Sequence, residues 1–414
     1  MSRLIQKLQS DGIARYFSVM ALGTLASMLL GFLVQAYLAR HASVAEYGQI
    51  NYARVLIGYF ALVLNFGFDT YFLRQITADR FPEGRAVAMQ LTARLPLALV
   101  FLAGLLWWAA AAGWPTDRLV VVLFGVTLLH TAFNLDWLLQ ARQKFSVLAA
   151  LNISRSAVTL VATYLLVGGS GNPMYYVVAL ILSETTRLAL QWKFVRPVME
   201  KTSSAALIAT LRQSVAISAS FFMISIYYNA DSLMLKYYLG SEAVGIYSAA
   251  YNILVLAIVP TTLLYQVFSP RLAQNPWSTD VLKKYAASTM ALAIVVFVGV
   301  ISLHSIVIHV VYGNQFAEAS RVLMILSFNI LSSYLAGALA NPINMWGAHV
   351  VYLRIVAVGA VLNIALNLIA IPMLGINGAI FATIASEVAV AGGAALTLWR
   401  RFGTFPSGIG RRSS

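Results

Sequence analysis

Long apolar stretches separated by short gaps run the whole length of this chain, and the gaps alternate in charge. Twenty of the 28 Lys and Arg residues fall in every second gap, while the gaps between hold only Arg40, Arg118, Lys236 and Arg321. Lys and Arg concentrate in the cytoplasmic loops of membrane proteins and set their orientation. The pattern therefore constrains the chain to a bundle of helices crossing a bilayer. Composition agrees: 60% of residues are hydrophobic and 10% charged, against about 25% charged in a soluble domain. Mean hydropathy is +0.79.

A membrane helix needs about 20 predominantly apolar residues. Twelve segments satisfy this, at roughly 16–39, 49–72, 86–112, 119–140, 146–167, 174–195, 213–235, 243–268, 286–311, 319–346, 350–372 and 377–399. The cation-rich gaps, from Arg3, Lys7 and Arg15 at the start to Arg400, Arg401, Arg411 and Arg412 at the end, place both termini in the cytoplasm. Residues 1–15 read as an interfacial segment and 400–414 as a cytoplasmic tail. A net charge of +14 would suggest nucleic acid in a soluble protein. Here the cations sit on one membrane face, opposite anionic lipid, and nucleic acid is not an expected partner.

Other classes are excluded by what is missing from the sequence. There is no Cys, which removes disulfides, thiolate catalysis and Cys-ligated metal. No Gly-Lys-Ser/Thr phosphate loop is present, so ATP hydrolysis by this chain is not expected. His304 and His309 are five apart, do not share a helix face well and have no evident third partner, so no metal site is predicted. No cofactor and no catalytic array are expected.

A faint repeat relates YGQINYA from Tyr47 to VGIYSAA from Val244, an offset of 197 residues. It suggests two six-helix lobes, 16–195 and 213–399, joined by a cytoplasmic linker at 196–212, around a central cavity. Gly23, Ser27 and Gly31 share one helix face, as do Gly378, Ala382 and Ser386, which suits close helix packing. Pro96, Pro260 and Pro342 lie inside spans and permit kinks.

Four ordered segments carry a resemblance. NFGFDTYFLR from Asn65 to Arg74, DSLMLKYYLG from Asp231 to Gly240 running on to Ala250, YGNQFAE from Tyr312 to Glu318, and Asn363 to Glu387 together resemble the Wzx-type lipid-linked oligosaccharide flippases. Those belong to the multidrug/oligosaccharidyl-lipid/polysaccharide exporter superfamily. The resemblance implies flipping of undecaprenyl-pyrophosphate-linked oligosaccharide repeat units across the bacterial inner membrane, for O-antigen, capsule or exopolysaccharide. Membrane lipid, a polysaccharide polymerase, a chain-length regulator and a coupling ion, H+ or Na+, are the other partners it implies.

Arg54, Arg94, Arg155 and Arg187 lie inside apolar stretches. A charge at membrane depth is costly and marks a functional site by default. Arg94, Arg155 and Arg187 sit eight or nine residues from the cytoplasmic ends of spans 3, 5 and 6, which puts all three roughly 12–14 Å deep at 1.5 Å per residue. Guanidinium binds phosphate through two parallel charge-assisted bonds, so these three are the expected pyrophosphate site, with Arg54 as a station nearer the outer face. The alternative is structural: Arg187 pairing with Glu184 three residues away, Asp136 neutralising another arginine, Arg94 snorkelling. Glu184, Asp231 and Glu387 are candidates for coupling or gating. Asn363 and Asn367 are candidates for glycan contact or helix bridging, and Tyr227 for glycan contact or interface anchoring. An ion-coupled multidrug exporter of the same superfamily is the nearest alternative; a polytopic glycosyltransferase or polymerase is the alternative from another class.

Overall fold

The computed structural model describes residues 23–403, so the expected interfacial segment 1–15 and most of the expected tail 400–414 lie outside the described residues. The described chain is α-helical, with no strand among its elements. Its contacts divide it into two compact units, one ending at Phe222 and the other beginning at Met223.

The first unit begins with α1 (Gly23–His41). Ser43 then caps α2 (Val44–Asn65): its hydroxyl accepts from the Glu46 backbone N–H while the Glu46 carboxylate accepts from the Ser43 N–H, a reciprocal capping box. The second span does not run straight. Phe66 and Gly67 both take left-handed backbone angles, and α3 (Phe68–Thr77) starts anew. Gly67, at φ +73°, is required twice over, because a Cβ there would lie 3.0 Å from the Ile217 side chain and 3.1 Å from the Ser214 carbonyl. Gly67→Ala is expected to cost about 1–2 kcal/mol of stability, read as a lower melting temperature of the purified protein; an unchanged melt would show that the break tolerates a side chain.

Next come α4 (Glu83–Ala110), which runs through Pro96, and a fourth span in three pieces: α5 (Thr116–Gly125), α6 (Thr127–Phe133) and α7 (Asp136–Ala141). Then follow α8 (Phe145–Ser170) and α9 (Tyr175–Val195). Residues 196–203 are not helical. The Ser203 hydroxyl accepts from the Ala206 N–H and opens α10 (Ser204–Leu239), so the second half of the expected linker 196–212 is helix. The boundary between the two units falls within the sequence of α10, between Phe222 and Met223.

The second unit continues with α11 (Ser241–Gln274) and α12 (Thr279–Tyr312), each 34 residues long. Span 10 is bent by 42° at Ser327, between α13 (Ala317–Leu326) and α14 (Phe328–Met345). The unit closes with α15 (His349–Leu374) and α16 (Ile376–Gly403), separated by Gly375 alone. Proline does not end any of these helices: α11 runs through Pro260 and α14 through Pro342. The Tyr334 hydroxyl donates to the Ala257 carbonyl in the turn before Pro260.

Among the described residues ten helices are long and apolar enough to cross a membrane, or eleven if the bent pair at Ser327 is one span. The twelve expected are therefore not matched exactly by length and apolarity. The missing segment, α9, covers 174–195 as expected but carries Glu184, Arg187, Gln191 and Lys193, and is too polar to qualify on apolarity. That polarity marks the site.

Candidate functional site

The site in the first unit is built around the break in the fourth span. Between α6 and α7 the ladder is interrupted at Asn134, which is extended, and Leu135. Backbone groups freed inside a membrane must find partners in the protein. Two buried glutamines supply them. Gln90 on α4 donates to the carbonyls of Ala132 (3.0 Å) and Asn134 (2.7 Å), and accepts from the Trp137 indole at 2.6 Å. Gln191 on α9 accepts from the Leu135 N–H at 3.0 Å. The Asn134 side chain accepts from the Asp136 N–H at 2.8 Å, an Asx turn that restarts the helix. The break thereby holds the Asp136 carboxylate in place.

A cavity of about 310 Å³ opens beside it. Its charged lining groups are Arg155 on α8, Glu184 and Arg187 on α9, and Asp136; Thr127, His130, Thr131, Asn134 and Asn152 complete the polar wall. Arg187 Nη2 donates to both Asp136 oxygens at 2.5 Å, and Gln191 Nε2 donates to Asp136 Oδ1 at 2.7 Å. Arg155 Nη1 donates to Glu184 Oε1 at 2.6 Å. The pairing differs from the one spacing suggests. Arg187 reaches across to α7 rather than along its own helix, because the broken span presents a carboxylate already oriented by Gln191 and Asn134. Two guanidiniums and two carboxylates thus share one polar cavity, with formal charges that cancel. Arg187 is only 4% exposed and its Nε has no hydrogen-bond partner, whereas Arg155 is 42% exposed.

Arg94 does not join this cluster. It is 1% exposed and donates through Nη2 to Asp69 (2.7 Å) and to the Asn65 carbonyl (3.1 Å), with its guanidinium 5.7 Å from the centre of the Phe68 ring. Asn65 in turn donates to the second Asp69 oxygen at 2.7 Å. Arg94 therefore closes the break between α2 and α3, as Gln90 and Gln191 close the one before α7. Equal depth along separate helices does not set their rotation. Arg54 is exposed, held by Asn51 at 2.7 Å, and lies outside the cavity.

In the second unit, Asp231 and Glu387 face one recess together with Tyr227, Tyr228, Tyr251, Asn329, Ser333, Asn363 and Thr383. Its volume is about 20 Å³. A single water needs about 10–15 Å³ of such volume, so the recess has no room for a sugar ring. Tyr247 donates to Asp231 Oδ2, and the Ser232 N–H to Oδ1. Asn363 donates to Ser386 on α16 at 3.3 Å and accepts from Asn367 at 3.0 Å. Asn363 thus bridges α15 and α16, while Asn367 bonds along its own helix and is buried outside the recess. Among the described residues no group of three or more His, Asp or Glu is placed to hold a metal ion; His304 bonds to Ser320 instead.

Residues 13–276 match the model of the family described as polysaccharide biosynthesis protein. The chain belongs to this family. Among curated proteins it is 24% identical, over 374 residues, to the Haloferax volcanii protein named "Probable low-salt glycan biosynthesis flippase Agl15", covering 86% of this chain and 76% of the relative. Among solved structures it is similar to the lipid II flippase MurJ in an inward closed conformation, with a TM-score of 0.75, 13% identity, and 94% and 88% of the two chains covered. It is also similar to a multidrug resistance MATE family transporter of the MOP superfamily in its inward-facing conformation, with a TM-score of 0.71, 12% identity, and 91% and 94% covered. At such identities the two structures speak to the fold alone. The fold is thus the multi-pass helical fold seen in those two structures.

Gln90, Gln191, Asn134 and Asn152 were not legible as site residues, nor was His130, which reads as a bundle residue. One signal was available: the sequence Asn134-Leu135-Asp136, two polar turn-formers inside an apolar stretch.

Proposed function

We propose that this protein flips undecaprenyl-pyrophosphate-linked oligosaccharide repeat units from the cytoplasmic to the periplasmic leaflet of the bacterial inner membrane by alternating access of two lobes. Membership of a polysaccharide biosynthesis family supports the glycan part of the reading. The observation that carries it is the meeting of Arg155 and Arg187 at one cavity. Guanidinium stays charged when partly dehydrated and presents a planar fork of donors that matches phosphate. A diphosphate crossing a low-dielectric layer needs such donors fixed in advance, because reorganising them during the crossing would add to the barrier. At about 10–15 Å³ of such volume per water, the 310 Å³ cavity takes a hydrated diphosphate.

Within this reading Arg155 and Arg187 are the headgroup site, and Arg94 and Arg54 are not. Glu184, Asp231 and Glu387 remain the candidates for coupling to H+ or Na+. A polymerase and a chain-length regulator are the proposed downstream partners. The cavity weighs against a multidrug cation exporter, which needs carboxylates free to attract cations; here each cavity carboxylate already holds an arginine.

The test uses Arg155, whose 42% exposure lets it be removed without unfolding the bundle. In cells lacking their own polysaccharide flippase, the wild-type protein is expected to restore surface polysaccharide. Arg155→Ala should fail at equal membrane abundance, and Arg155→Lys should restore it only partly, because an ammonium lacks the planar fork. Normal polysaccharide from Arg155→Ala would remove the headgroup site. Drug resistance without polysaccharide would move the protein to the multidrug branch.

A further inference from the structure

The two ion pairs of the cavity are not equivalent. Asp136 is held by Arg187 through both oxygens, by Gln191 at 2.7 Å and by Asn134 at 3.4 Å, while its own N–H is tied to Asn134. Displacing it would break several bonds at once and leave Arg187, 4% exposed, without its counter-charge. Glu184 is held differently. Among the described residues it accepts from Arg155 alone, through one oxygen and one guanidinium nitrogen 2.6 Å apart. The rest of the Arg155 fork has no protein acceptor among the described residues, and the side chain is 42% exposed.

We infer that Glu184 is a displaceable internal ligand on Arg155, and that its competition makes the cavity selective for diphosphate over a single phosphate group. The inference rests on the headgroup reading of this cavity and deepens it. A ligand must offer Arg155 more than the one charge-assisted bond it already has. A single phosphate does so by using its two acceptors on one fork, but then meets the Glu184 charge still beside it. A diphosphate spans further: one phosphate replaces Glu184 on Arg155 while the other meets the Arg187 guanidinium, which lines the same cavity. The charged and titratable groups facing Glu184 across the cavity are Arg155 on α8, His130 on α6, Asp136 on α7 and Arg187 on its own helix. Only Arg155 is bound to it. Glu184 thus acts as a filter: it keeps Arg155 satisfied in a low-dielectric layer and yields to a ligand of sufficient charge and reach. Asp136 stays fixed and keeps Arg187 oriented.

The experiment is isothermal titration of the full-length protein, purified in detergent, with inorganic pyrophosphate and separately with inorganic phosphate. Wild type is expected to bind pyrophosphate about tenfold or more tightly than phosphate. Glu184→Gln keeps the shape and removes the competing charge, so its affinity for phosphate should rise about tenfold and the discrimination should shrink. Glu184→Ala should do the same and serves if the amide variant does not fold. In Glu184→Gln combined with Arg155→Ala the gain should vanish. If the Glu184 variants bind phosphate no better than wild type, while Arg155→Ala still weakens pyrophosphate binding, the filter is wrong and the headgroup site stands. If Arg155→Ala binds pyrophosphate as wild type does, or wild type binds none, the headgroup site itself is wrong.

Discussion

Arg94→Ala is expected to cost about 3 kcal/mol of stability, the low end of the range for stripping one partner from a buried ion pair. The low end applies because Asp69 keeps 35% of its side-chain exposure and can recruit some water. The loss has several parts. The Asn65 carbonyl loses its donor at the point where the second span has already given up its ladder, Asp69 loses its cation, and a side chain 1% exposed leaves a hole beside Phe68. The measurement is the melting temperature and monodisperse yield of the purified variant, with Arg155→Ala as the contrast: the first should fall and the second should not. Arg94→Lys should land between: an ammonium can donate to both acceptors, but it is more strongly hydrated than a guanidinium and lacks the flat face set against Phe68. A stable Arg94→Ala protein that no longer exports polysaccharide would return this residue to the substrate path.

The second large effect is expected at the hairpin between α15 and α16. With only Gly375 separating them, the two helices leave their turn almost in contact. A Cβ on Gly378 would lie 2.2 Å from the Ala370 carbonyl oxygen and 2.7 Å from the Ile371 nitrogen. These are backbone atoms and cannot rotate away. Gly378→Ala is expected to cost at least the 1–3 kcal/mol typical of overpacking, about 3 kcal/mol here, and Gly378→Leu to abolish the folded second unit. Gly31 on α1 is the control. A Cβ there meets nothing within 4 Å, so Gly31→Ala should be neutral or stabilising by about 0.5–1 kcal/mol. Equal melting temperatures for Gly378→Ala and Gly31→Ala would refute the close approach.

These residues show what the sequence can and cannot say. Periodicity puts Gly31 and Gly378 in equivalent small-residue stripes, yet only one faces a neighbouring backbone, because spacing defines a helix face and not its neighbour. The same limit separates the arginines. Arg155 and Arg187, singled out because charge is costly in an apolar stretch, do line one cavity, but nothing local tells Arg94 apart from them. Its partner, Asp69, lies 25 positions away across a helix break. The helical segments themselves were legible, since apolarity averaged over a span survives a local interruption. The interruptions were not, and Asn134-Leu135-Asp136 is the costly omission: the averaging that reveals a span conceals the point where its ladder stops. The pairing within the cavity could not be seen for that reason, since Asp136 is aimed by a break.

The polarity of α9 has a consequence for how this protein is made. Glu184 and Arg187 lie near the middle of a 21-residue helix, and a charged residue at that position costs about 2.5–3.5 kcal/mol to transfer from the translocon to lipid. Such a segment would not leave the insertion channel on its own. Arg155 and Asp136, both synthesised earlier, offer its two charges opposite partners, so the ion pairs that shape the cavity also offset the cost of bringing this helix into the bilayer.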